Sequence, residues 1–122
     1  MSLLVVVESP YSGDILSNVY YAVECMQDCL QRGEAPFLSH LMYTMEPHGY
    51  VPDTEERRTQ GLNAAYSWLK VAQLMAVYYD KGISAGMKAA IDKATELNIP
   101  ITYRSIKGKT MLKDPVEVNN KQ

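Results

Sequence analysis

Val77-Tyr78-Tyr79-Asp80-Lys81-Gly82-Ile83-Ser84-Ala85-Gly86-Met87-Lys88 reads as a strand end, a glycine-containing turn and the first turn of a helix. The strand is the apolar run 74–79, which closes on a β-branched residue and two aromatics. Ser84 has a side-chain oxygen suited to capping a helix N-terminus. Beyond it Met87, Ala90, Ile91, Ala94 and Leu97 recur at helical spacing. A strand that feeds a helix in this way is half of a βαβ unit, and open α/β sheets bind ligands at such carboxyl ends. The free N–H groups and positive dipole end of the helix suit an anion. Gly82 and Gly86 would let the backbone come close to a ligand, although a plain loop needing φ > 0 uses the same residues.

Working outward, residues 3–7 form a continuous apolar run, as expected of a central strand covered on both faces. The turn-rich loop 8–14 follows, and Asp14 caps a helix that runs to about Arg32 and stops at Gly33. Its expected buried stripe is Ile15, Val19, Ala22, Val23, Met26 and Leu30, with Tyr20, Tyr21, Glu24 and Gln27 off it. Residues 35–38 form a short strand that Pro36 limits. The long 39–52 connection carries His40, Tyr43, Met45, His48 and Tyr50, and connections of this length in small domains tend to be functional. Asp53 as N-cap, with Glu56 completing a capping box, opens a helix with Leu62, Ala65, Tyr66 and Leu69 inward. The helix after Ser84 reaches about Asn98, and 101–104 is the last strand. The order βαβαβαβ predicts a single-domain, Rossmann-like α/β fold: an open parallel sheet with helices on both faces. The domain spans 1–104, and 105–122 is a polar tail, loosely held or ordered against a partner chain.

With 122 residues, 47% apolar and 21% charged, the composition is that of one soluble globular domain. A net charge of −2 gives no basic field for nucleic acid. No apolar run reaches the length of a membrane span, and the N-terminus lacks the features of a signal peptide. Cys25 and Cys29, four apart on a helix, are expected as free thiols in a reducing cytoplasm. No metal-ligand pattern, no cofactor fingerprint and no GxSxG occurs. Lys107-Gly108-Lys109-Thr110 lacks the loop that would make it a P-loop.

Three groups of candidate ligand-binding residues converge on the strand-end edge. The first is Glu8, Ser9, Tyr11, Gly13, Asp14 and Asn18. The second is Ser39, His40 and Tyr43, with Arg57 and Arg58 from the start of the second long helix. The third is Asp80, Gly82, Ser84, Gly86, Met87 and Lys88. Each has a plainer alternative: Asp14 as a cap, His40 as a structural histidine, Arg57 and Arg58 as a solvated face. Tyr11 belongs to no helical stripe and could stack on a base.

The loop Glu8-Ser9-Pro10-Tyr11-Ser12-Gly13-Asp14, with Asn18 and Tyr21-Ala22, resembles small phage and bacterial proteins similar to nucleoside 2-deoxyribosyltransferases. So do 32–37, Ser39-His40-Leu41, Glu56-Arg57 and 79–87, over roughly residues 3–104. The enzymes carry Asp-x-Gly-x-Gly-Met-Glu, whose glutamate attacks the anomeric carbon. Asp80, Gly82, Gly86 and Met87 match with a two-residue insertion, but the glutamate position is Lys88. The resemblance therefore implies a non-catalytic binder of a phosphorylated nucleoside or ADP-ribose-type ligand. In a phage this would be a sponge for a host immune signal, acting in the host cytoplasm. The alternative is an enzyme that cleaves or transfers an N-glycosidic bond, with Glu8, Asp14 or Asp80 replacing the glutamate. The resemblance further implies a homo-oligomer.

Overall fold

The computed structural model describes residues 2–47, 49–52 and 54–108. Strand β1 (Leu4–Glu8) lies inside a parallel four-stranded sheet with β2 (Ala35–Phe37) on one side. On the other side are β5 (Leu74–Tyr78) and then β6 (Ile101–Arg104). The chain leaves β1 in one direction and later returns to its opposite flank, so the β1–β5 boundary is a switch point with a crevice at its carboxyl end. Alternation along β1 and β5 divides the core. Val5, Val7, Ala76 and Tyr78 face helix α1 (Ile15–Gln31), while Val6, Met75 and Val77 face α3 (Glu55–Leu69) and α4 (Ala85–Glu96). Helices thus cover both faces, as the βαβ pattern predicts.

Helix α1 starts where expected: the Asp14 carboxylate accepts the Ser17 amide at 3.2 Å. Its buried face differs from the apolar stripe. Asn18, Tyr21, Ala22, Cys25, Asp28 and Cys29 are buried, whereas Leu30 is 51% exposed. The rotation follows the polar groups, because Asn18, Tyr21 and Asp28 each find partners across the core that offset their burial. Both cysteines are free and buried.

The 39–52 connection is not a plain loop. It folds into α2 (Ser39–Met42) and a hairpin of β3 (Met45–Glu46) and β4 (Gly49–Tyr50), with Met45 opposite Tyr50. His48 and Asp53 lie outside the described residues. The cap of α3 is Thr54, whose hydroxyl accepts the Arg57 amide, so Arg57 rather than Glu56 occupies the third helical position. Of the expected inward stripe only Leu69 is fully buried, and Leu62 is 42% exposed. Near its end Trp68 stacks on Phe37, with centroids 5.0 Å apart, and donates to the Tyr43 hydroxyl at 2.8 Å. Helix α4 matches its reading: Ser84 caps it, and Met87, Ala90 and Ala94 are buried.

The start of the polar tail is held rather than loose. Ile106 is buried, and Asp80 accepts the Ile106 and Lys107 amides at 3.0 Å each. Residues 109–122 lie outside the described part of the chain. Just before this segment the buried Arg104 guanidinium forms a two-pronged pair with Glu34, at 2.7 and 2.6 Å, and also donates to the Tyr78 hydroxyl. Tyr78 in turn donates to Asp28 at 2.7 Å. Removing one member of a buried pair strands the other charge. Glu34→Ala is therefore expected to cost about 3 kcal/mol in urea unfolding, and the Glu34→Leu/Arg104→Met double variant to recover much of it.

Candidate functional site

The site begins with the last residue of β1. The strand alternation that sends Val5 and Val7 toward α1 sends Glu8 the other way, beneath α3 and α4. There it lines a cavity of about 70 Å³ with Ser39 and His40 from α2, Leu62, Ala65 and Tyr66 from α3, and Gly86 from α4. Glu8 is only 9% exposed, and burial alone pushes its carboxyl up to about 8. Among the described residues no charged or hydrogen-bonding group offsets that effect. Near neutral pH Glu8 is therefore largely a neutral acid.

A second hollow adjoins this one through Ser39. It is lined by Tyr11, Tyr43, Arg57 and Arg58, with Gly61 at the α3 wall. Tyr11 stacks on His40, with ring centroids 5.1 Å apart, so the pair stands between the two hollows. Burial holds His40 below the usual imidazole range, opposed by a hydrogen bond to the backbone of Ser9, which is itself buried. The two hollows, together the cleft, carry a buried acid in one, Arg57 and Arg58 along the other, and the two stacked rings between them.

The remaining candidates divide by place. Asn18 is buried and occupied: its amide donates to the Tyr11 and Ser12 carbonyls and accepts from Lys81, which shapes the 9–14 loop. Gly13 and Asp14 are exposed at the α1 end, where Asp14 is a cap. Gly82 adopts φ +83, as a left-handed turn requires. Gly86 reaches the cavity, Ser84 is a cap, and Met87 is buried in the core with its sulfur accepting the Ser84 amide. Lys88 is exposed on α4 and lines neither hollow.

Asp80 is on the other face of the sheet from Glu8. Its carboxylate accepts from the Tyr21 hydroxyl at 2.6 Å, from the Ser105 hydroxyl, and from the Ile106 and Lys107 amides. Burial alone would raise its pKa, but these hydrogen bonds hold it at about 2. An acid so engaged has no lone pair directed at a ligand in the cleft. Of the three carboxylates offered as replacements for the transferase glutamate, Glu8 faces the cleft, Asp14 caps α1 and Asp80 clamps the chain. Among the described residues no cluster of three His, Cys, Asp or Glu is placed to hold a metal ion. No described helix is long and apolar enough to cross a membrane.

A family model described as "Domain of unknown function (DUF7768)" matches residues 3–104. The chain belongs to that family. Among curated proteins no relative matches. Among solved structures, a 2-deoxyribosyltransferase from the psychrotolerant bacterium Bacillus psychrosaccharolyticus superposes with a TM-score of 0.63. The match covers 96% of this chain and 90% of that one at 16% identity, so the likeness is one of fold.

Sequence reasoning named most of the polar residues around the cleft but treated Tyr66 as core. It also missed Tyr21 and Ser105 as the clamps on Asp80, and Lys81 as the group that fixes Ser17 and Asn18. The buried acid generates a pH test. A carboxyl whose folded pKa is raised from 4.5 to about 8 contributes fully below 4.5, and that contribution is lost as pH rises through about 8. Glu8→Gln removes this loss. The variant should gain on the wild type between about pH 5 and 8, by up to about 3 kcal/mol, in thermal or urea unfolding run across that range.

Proposed function

We propose that the cleft binds a nucleoside- or nucleotide-type small molecule and returns it unchanged. The observation that carries this reading is the Tyr11–His40 stack set between a buried acid and Arg57 and Arg58. Aromatic faces suit a base, and guanidinium groups suit a phosphate. The cleft also lies at the switch-point edge where open α/β sheets take ligands. The fold shared with a 2-deoxyribosyltransferase supports the nucleoside class. Lys88, in place of the glutamate of the transferase string, supports binding without a glycosyl ester. A protein that holds such a ligand intact is suited to sequestering it, phosphorylated signalling nucleotides included.

A second reading has its own observation. Glu8 is buried and faces the cleft, and burial pushes its carboxyl up to about 8, which suits a general acid that protonates a departing base. On that reading the chain cleaves an N-glycosidic bond.

One experiment separates the two. The protein in molar excess is mixed with nucleosides, nucleoside phosphates, cyclic nucleotides and ADP-ribose derivatives, filtered away and heat-denatured, and the released molecules are chromatographed. Return of an intact ligand supports binding, and return of free base and sugar supports the enzyme. Recovery of nothing would sink both. For the ligand so found, Tyr11→Ala should weaken affinity about tenfold, and Lys88→Ala should leave it unchanged.

A further inference from the structure

Glu8 combines two properties that rarely coexist in a folded protein. It is nine-tenths buried, and it has no hydrogen-bond or ionic partner among the described residues. No fully enclosed side-chain nitrogen or oxygen among those residues lacks a partner. The Glu8 oxygens, having none, therefore reach the cavity that the residue lines. An unpartnered buried carboxyl is costly to keep, so its vacant donor and acceptor mark where a ligand group fits.

We propose, on the reading of the cleft given above, that Glu8 is its base-reading group. It pairs as an uncharged carboxylic acid with a ligand edge that presents a donor beside an acceptor. Nucleobases and primary carboxamides have such an edge: a ring nitrogen or carbonyl next to an N–H. The acid hydroxyl donates to the ligand acceptor while the acid carbonyl accepts the ligand N–H, which closes a two-bond ring. An ionised carboxylate offers acceptors only and cannot close that ring.

The surroundings fit this chemistry. The cavity of about 70 Å³ has room for the edge of a ring. The sugar and phosphate would then run past the Tyr11–His40 stack toward Arg57 and Arg58 in the adjoining hollow. The groups facing Glu8 leave its proton in place. His40 comes from α2, with its own pKa lowered by burial, and Tyr66 comes from α3. Helix α4 presents Gly86 and Ala90, β5 presents Met75, and Lys88 is exposed outside the cavity.

The test is calorimetric titration of the full chain with AMP, CMP, UMP and GMP at about pH 7 and 9, for wild type, Glu8→Gln and Glu8→Leu. Wild-type affinity for the best-bound nucleotide should fall about tenfold from pH 7 to 9, as the acid ionises. Glu8→Gln keeps one donor and one acceptor without a titrating proton, so it should bind at both pH values as the wild type does at 7. Glu8→Leu should bind weakly at both. Wild-type affinity that is flat across the range, or Glu8→Gln as weak as Glu8→Leu, would overturn the inference and leave the cleft assignment standing. Failure of the wild type to bind any of the four at either pH would overturn this inference, and the cleft assignment falls with it when the recovery experiment also returns nothing.

Discussion

The carboxylate of Asp80 is the constraint on which the described structure depends. It receives a phenol from α1, a hydroxyl from Ser105 and two backbone amides from the segment after β6. The Tyr21 hydroxyl that donates to it also accepts the Asp80 amide, at 3.0 Å. Beside it Lys81 reaches Ser17 and Asn18, and Asn18 holds the Tyr11 and Ser12 carbonyls. The end of β5, the start of α1, the loop after β1 and the segment after β6 are therefore tied at one point. Charge-assisted hydrogen bonds are the strongest available for such a tie. The position of Tyr11 in the cleft follows from this network on the opposite face of the sheet.

The two acids at the carboxyl edge show how environment alone sets the role of a side chain. Glu8 ends β1 and Asp80 lies two residues past the adjacent parallel strand β5, yet Asp80 is held at a pKa of about 2 and Glu8 is raised to about 8. They lie on opposite faces of the sheet, Glu8 by the alternation of β1 and Asp80 by its bonds to Tyr21 and the 106–107 backbone. One face supplies four donors, and the other supplies aliphatic carbon and a cavity. Titratable groups whose environments push them so far apart are a mark of a functional site.

The sheet and its helices were legible because short apolar runs and capping residues carry local information. The runs at 3–7 and 74–79, with Asp14 and Ser84 as caps, fell within a residue of their elements. What the sequence hid is non-local. Tyr21 looked off-stripe because its partner lies 59 residues away, and Leu30 looked inward because apolarity was read without those partners. The hairpin at 45–50 has strands of two residues each, too short to show alternation. Gathering Glu8, His40, Tyr11 and Arg57 at one edge could be read from topology, but that Asp80 is spent on the chain itself could not.

Helix α3 forms one wall of both hollows, and its packing has a dynamic consequence. Only Leu69 at its end is fully buried, and its other ties to the rest fall in the same C-terminal half: Tyr66, partly buried against the core, and Trp68, which stacks on Phe37 and bonds Tyr43. Little apolar area is lost when such an element opens, so its amides belong to the low-free-energy end of hydrogen exchange. Exchange should therefore be fastest along the first turns of α3 and slow toward Leu69, while β1 and β5 exchange only with global unfolding. A ligand that bridged Glu8 and Arg57 would span this gradient and draw the wall into the cooperative unit of the sheet.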